Sequence, residues 1–344
     1  MAAKRPGHAA LIYKYASPRT RQDEAARRAV ARTSAQGYTL RAVPKQHQDL
    51  LRLERCLLAC GALLYASALA AQEPRLTAAI PAIESTIRMS GAEAAVAFRT
   101  LDGRAQWLRD ADATFHAAST MKVAVLIELY RQARQGRVQL DEPLTIRNEF
   151  RSLVDGSPFA LDPQDDSETD LYRAIGETRT LQQLNELMIT VSSNLATNLL
   201  MDKLGVDNIR AGVHALGADG MNVRRDLEDG KAFERGLNNT TTASALLRLL
   251  EAIAHGQAVD AASSRQMLAV LERQTVNDRI PAGLPAGMRV AHKTGEITGI
   301  RHDAAIVFAK RPFVLVVLTR GASSPEAGSR LIADITRQLY RATQ

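Results

Sequence analysis

The sequence has little of what staples or metallates a protein. Its 2 cysteines in 344 residues are Cys56 and Cys60. Both fall in a segment, 51–71, that reads as removable, so the remaining chain has no disulfide, no thiol nucleophile and no cysteine metal site. The 7 histidines form no His-Glu-x-x-His or similar cluster, and no metal is expected. Net charge is also missing where it would count. Residues 1–50 hold 10 Lys+Arg and 3 Asp+Glu, which accounts for the whole +7; the rest balances at 34 basic (44 − 10) and 34 acidic (37 − 3). A neutral globular part gives no support for a nucleic-acid partner. No apolar run is long enough to span a bilayer, and no internal repeat is visible.

What is present divides the chain in three. Residues 1–50 lack a sustained hydrophobic period and are expected to be a disordered basic extension or a mis-assigned start. Residues 51–71 have the anatomy of a secretory signal peptide: a basic flank Arg52-Leu-Glu-Arg55, a short apolar core to Ala66, and Ser67-Ala-Leu-Ala-Ala71 before Gln72. Cleavage is expected after Ala70 or Ala71, which implies a periplasmic or secreted protein. The alternatives are a buried helix of the fold, or a lipoprotein, since Leu57-Leu58-Ala59-Cys60 loosely matches a lipidation box. Residues 72–344 form the folded part. Apolar content of 46% with 24% charged suits a soluble globular domain.

Periodicity places the elements. Leu76, Ile80, Ile83 and Ile87 predict a helix over 74–90. Ala94–Arg99 and Gln106–Leu108 flank an Asp102-Gly103 turn and predict a hairpin. Residues 137–275 read as mostly helical, with a capping box at Thr180–Gln183, a helix over Asn194–Leu204 and another over 244–254. Residues 155–170 read as a polar loop. Strands return at Met288–Lys293, Ala304–Ala309 and Phe313–Thr319, and a last helix opens at Ser324-Pro325. Strands at both ends with helices between predict an α+β fold. One antiparallel sheet (about 72–118 and 280–344) is flanked by helices, and an all-helical part (about 119–279) is inserted into it. The crevice between them is the natural site.

One stretch carries candidate chemistry. In Ala118-Ser119-Thr120-Met121-Lys122 a serine precedes a lysine by three residues, which on a helix is one face. The apolar run Val123–Leu129 predicts a buried helix. A lysine desolvated there can act as the base that a serine nucleophile needs. The other reading is an N-cap serine with a lysine reaching to solvent. Two further motifs shift the balance. Val191-Ser192-Ser193-Asn194 lies between two predicted helices, and His292-Lys293-Thr294-Gly295 ends a predicted strand. In this order and on these elements they match the three-motif set of active-site serine enzymes that react with penicillin.

With these motifs the stretch from about Pro74 to Thr343 resembles the class A β-lactamases and their low-molecular-weight penicillin-binding relatives. The resemblance implies a β-lactamase/transpeptidase-like fold, a covalent acyl-enzyme and no cofactor. It implies that Ser119 attacks the amide carbonyl, Lys122 accepts or relays its proton, and Ser192 passes a proton to the leaving nitrogen. Asn194 would position Lys122 and the substrate amide. Lys293 and Thr294, in Lys-Thr-Gly295, would hold the substrate carboxylate, joined by Arg301. The N–H groups of Ser119 and Glu296 would form the oxyanion hole. The partner implied is a small β-lactam or peptidoglycan-type molecule, acted on by a monomer.

Two departures qualify it. Deacylation in this family uses a glutamate on a Glu-x-x-Leu-Asn loop. Glu234-Arg-Gly-Leu-Asn238 fits the letters but lies too close to the next helix, so Glu228 rivals it by distance and is slightly preferred. Glu296 occupies a position usually held by a small residue. Its carboxylate would repel that of a β-lactam, at about 4 kcal/mol for 4 Å and an effective dielectric near 20. Either its side chain turns away or the preferred substrate differs from a common penicillin. Three readings follow: a β-lactamase, a D-Ala-D-Ala peptidase or other ester or amide hydrolase, and a sensor that stays acylated.

Overall fold

The computed structural model describes residues 73–344. The two N-terminal segments, 1–50 and 51–71, lie outside the described residues. The main elements in chain order are α1 (Pro74–Ser90), β1 (Glu93–Thr100), β2 (Gln106–Arg109), α2 (Lys122–Arg134), α3 (Leu181–Thr190), α4 (Asn194–Leu204), α5 (Val206–Ala215), α6 (Ala243–Ala254), α7 (Ala261–Leu271), β3 (Val290–Ile297), β4 (Ile300–Val307), β5 (Phe313–Arg320) and α8 (Pro325–Thr343).

The five strands form one antiparallel sheet in the order β2-β1-β5-β4-β3. Strand β5 is central because it is apolar on both faces. Val314, Val316 and Leu318 pack with the helical part, while Phe313, Leu315 and Val317 pack beneath α1 and α8. Alternation along the strand thus splits the protein into layers. Leu76, Ile83 and Ile87 of α1 and Leu331, Ile332, Ile335 and Leu339 of α8 close the lower layer.

The helical part packs on the other face around α2, which is buried from Lys122 to Tyr130. The buried Glu128 within it is held by the Arg131 guanidinium at 2.6 and 2.9 Å and by Gln132 at 2.6 Å. Helix α3 opens on the capping box predicted at Thr180 and Gln183, with both reciprocal bonds formed.

Several expectations are corrected. Ser119 does not open the α-helix. It lies in a 3-10 turn, Ala118–Met121, that feeds α2, and Ala118 enters it at φ +45°. The segment 155–170 is not simply a solvated loop. It contains half of a two-residue ladder, Phe150–Arg151 with Pro158–Phe159, and a 3-10 turn at Pro163–Asp165. Within it Asp166 is buried. Helices α5 and α7 add to those predicted, and a short ladder, Pro143–Thr145 with Thr178–Thr180, interrupts the helical part.

Candidate active site

Three segments meet at the junction of sheet and helices. The 3-10 turn brings Ser119, the α3–α4 connection brings Ser192 and Asn194, and the end of β3 brings Lys293, Thr294 and Gly295. A cleft of about 640 Å³ opens there, lined among others by Ser119, Ser192, Asn194, Thr294, Gly295 and Glu296. The approach between turn and strand is close. A Cβ at Gly295 would lie 3.1 Å from the Thr120 nitrogen and 3.2 Å from the Ser119 nitrogen. Only glycine lets β3 run this near the serine's backbone without displacing it. Strain collects at the same place. Of four non-glycine residues with positive φ among those described, three are Ala118, Ser192 and Glu228.

Two buried ammonium groups converge on one hydroxyl. The Lys122 Nζ is 3.2 Å from Ser192 Oγ and the Lys293 Nζ is 2.9 Å from it. Lys122 also donates to the Ser192 carbonyl at 2.6 Å and to Asn194 Oδ1 at 2.9 Å. Lys293 donates to the Thr294 carbonyl at 2.9 Å. Neither lysine is exposed, so the reading of Lys122 as a solvent-reaching residue does not hold. None of the Lys122 hydrogen bonds reaches the Ser119 hydroxyl.

Burial has a direct electrostatic consequence. It pushes the Lys122 ammonium down to about 7, against the opposing pull of Asp166 and Glu228. Lys293 is driven well below the ordinary lysine value by burial, then by the charges of Lys122 and Arg279. Near neutral pH the site therefore holds an amine that can take a proton.

Asn194 links this pair to a carboxylate. Its Oδ1 accepts from Lys122, and its Nδ2 donates to Glu228 Oε1 at 2.9 Å. Glu228 Oε2 accepts from the Asp162 N–H at 3.2 Å. Its carboxyl is pushed above the ordinary range by burial, despite the bonds from Asn194 and Asp162. The residue before it is clamped, since Asn198 of α4 donates to the Leu227 carbonyl at 3.0 Å and accepts from its N–H at 2.8 Å. Glu234 is elsewhere. It is exposed at the end of a short helix, Gly230–Glu234, and no hydrogen bond links it to the cluster.

Glu296 and Arg301 are cross-strand partners between β3 and β4. The Glu296 carboxylate turns onto two guanidiniums, those of Arg301 and of the buried Arg279. Half-burial opposes its ionisation, but the two arginines outweigh that and hold its carboxyl below the usual range. Arg279 also donates to the carbonyls of His302 at 2.8 Å and Gly295 at 3.2 Å.

Three participants went unmarked in the sequence: Asp166, Asn198 and Arg279. Asp166 Oδ2 accepts from the N–H groups of Asn194 at 2.9 Å and Leu195 at 2.8 Å, and from the Tyr172 hydroxyl at 2.9 Å. It thus caps α4 from outside the local chain. Asn198 stands four residues beyond Asn194 on the same helix face, a spacing that could have flagged it. Arg279 has no sequence signal. Among the described residues no group of three or more His, Cys, Asp or Glu could hold a metal ion.

Comparison with known proteins places this geometry. A family model described as the beta-lactamase enzyme family matches residues 75–343. A beta-lactamase of Bacillus licheniformis is 30% identical over 176 residues, 47% of this chain and 55% of that protein. The match thus spans only about half the length of that curated relative. Among solved structures, the beta-lactamase of Sphaerobacter thermophilus superposes with a TM-score of 0.66 at 28% identity, covering 78% of this chain and 96% of that one. A mutant of PBP-A, solved as its acyl-enzyme complex with penicillin G, superposes at 0.68 with 27% identity, covering 79% and 97%. The α+β fold is that of these proteins.

Proposed function

The chain belongs to the beta-lactamase enzyme family, and from that premise we propose that it is a serine hydrolase that opens β-lactam amides through an acyl-enzyme on Ser119. The observation that carries this reading is the meeting of Lys122, Lys293, Ser192 and Asn194 beside Ser119, with Lys122 brought by burial to about 7.

Each residue has a chemical task. Lys122, as the neutral amine, takes the Ser119 proton as Oγ bonds to the carbonyl carbon. The oxyanion lies against the N–H groups of Ser119 and Glu296, whose spacing Gly295 permits; one such donor contributes about 3–4 kcal/mol. The C–N bond then breaks, and the proton passes through Ser192, bonded to both lysines, to the leaving nitrogen. Asn194 holds Lys122 on one side and Glu228 on the other. Thr294 lines the substrate end of the cleft, and the buried Lys293 acts on it through Ser192. For the second half, Glu228 takes a proton from water as the water oxygen bonds to the acyl carbon, and Ser119 leaves with that proton. A raised carboxyl suits this base. Glu234, exposed and outside the cluster, has no part in this scheme.

The Glu228 contact favours turnover over a sensor that remains acylated. The likeness to PBP-A keeps a D-Ala-D-Ala peptidase as the second reading. The signal-like segment 51–71 supports export to the periplasm or medium, with a monomer as the working form.

The test is spectrophotometric. Purified protein is mixed with an excess of a chromogenic cephalosporin and with an acyl-D-Ala-D-Ala peptide. Many β-lactam rings opened per protein molecule, without peptide cleavage, is the expected result. Peptide cleavage with stoichiometric ring opening would select the second reading.

A further inference from the structure

The geometry points to Glu296 as a specificity-determining residue: it occupies the arginines that would receive a substrate carboxylate, so the cleft favours a β-lactam whose group beside the scissile amide is neutral or cationic. This rests on the acyl-enzyme reading above.

Thr294 and Glu296 are two apart on β3, so their side chains share a face, and both line the cleft. A substrate carbonyl on the Glu296 N–H, with its carboxylate toward Thr294, would lie next to the Glu296 side chain. That side chain is 55% exposed yet anchored to Arg279 and Arg301. Among the described residues, the three cations nearest to it, Arg279, Arg301 and Lys293, are all engaged. Arg279 is 1% exposed; its two terminal nitrogens are taken by two carbonyls and Glu296, and its Nε, which makes no hydrogen bond, faces Asp278 at 3.3 Å. Arg301 is paired with the same carboxylate, and its stem runs so close to Gly328 that a Cβ there would lie 2.9 Å from its Cγ. Lys293 is spent on Ser192 and the Thr294 carbonyl, and burial disfavours its charge. An incoming carboxylate must therefore displace Glu296 or sit beside a like charge. A neutral group does neither, and a cationic one gains a partner.

The experiment compares benzylpenicillin with its methyl ester. Acylation of Ser119 is followed by intact mass, and each rate is divided by that compound's hydroxide-catalysed hydrolysis rate to remove intrinsic reactivity. The native protein is expected to acylate faster with the ester. In Glu296→Gln the free acid should gain about tenfold while the ester changes less than about twofold. A native protein that prefers the free acid overturns the inference even if the variant does not fold. So does a folded variant with an unchanged ratio. If neither compound gives an adduct or ring opening, the acyl-enzyme reading is overturned, and this inference with it.

Discussion

At the scale of single residues, desolvation decides which groups can exchange protons near neutrality. Lys122 lies fully buried among partners that accept from it, and its proton is held only below about pH 7. The neutral amine is the reactive form in the proposed acylation. Its fraction grows as pH rises through that value. The acylation rate constant is therefore expected to climb from pH 5 to a plateau above about pH 8, about tenfold per unit on the acid limb. Stopped-flow acylation across that range checks it; a rate that falls over the same interval contradicts the assignment.

Glu228 is the companion case. Its carboxyl is raised by burial while Asn194 and the Asp162 N–H orient it. Glu228→Gln keeps the shape and removes the proposed base. The acyl-enzyme should then persist at least about 100-fold longer, with acylation itself little changed. The same substitution at Glu234 should leave the adduct lifetime within about twofold. Intact-mass time courses separate the two.

These residues differ in how far the sequence exposed them. Ser119, Lys122, Ser192 and Lys293 stand in short motifs on predictable elements. The Glu228–Glu234 choice does not yield to letters alone. It depends on Asn198 pinning Leu227, a contact between positions 29 residues apart.

At the scale of elements, helix α4 organises the site. Ser193 caps it locally, accepting from the Ala196 N–H at 3.2 Å, and Asp166 takes two more of its free N–H groups from across the chain. The helix offers Asn194 to Lys122 and Asn198 to the Glu228 loop. Its cap therefore sets the position of Asn194 and Asn198. Asp166→Ala removes a buried carboxylate and leaves those N–H groups unpaired. The loss should be about 2–4 kcal/mol of stability by urea unfolding, with acylation slowed by about tenfold or more in the fraction that stays folded. A variant as stable and as fast as the native protein would contradict this role.

The predicted elements were legible where the pattern was strong, a continuous apolar run in β5 and a period of 3.6 in α8. The 3-10 turn at Ser119 was not, because a left-handed Ala118 breaks the helical register without any glycine to mark it. The role of Asp166 was hidden for another reason. An acidic residue in a polar, acid-rich stretch looks solvated until the chain folds it against a helix end.

At the scale of the whole molecule, the fold works by bringing the two ends of the folded chain into one sheet and setting a helical part against its face. Strand β5 shares its alternate residues between the two layers, so the sheet is packed on both faces. The cleft lies where the end of β3 meets the turn before α2. The groups of the candidate site come from segments separated by about 70 and 100 residues, and only the packed layers hold them together.

The most direct test of that convergence is peptide mapping after a brief penicillin pulse. The native protein is quenched in acid, digested and sequenced by tandem mass spectrometry, in parallel with Ser119→Ala. The account predicts one penicilloyl mass on the peptide containing Ser119, and none anywhere in the folded Ser119→Ala protein. An adduct on another residue, or one that survives the substitution, would contradict it.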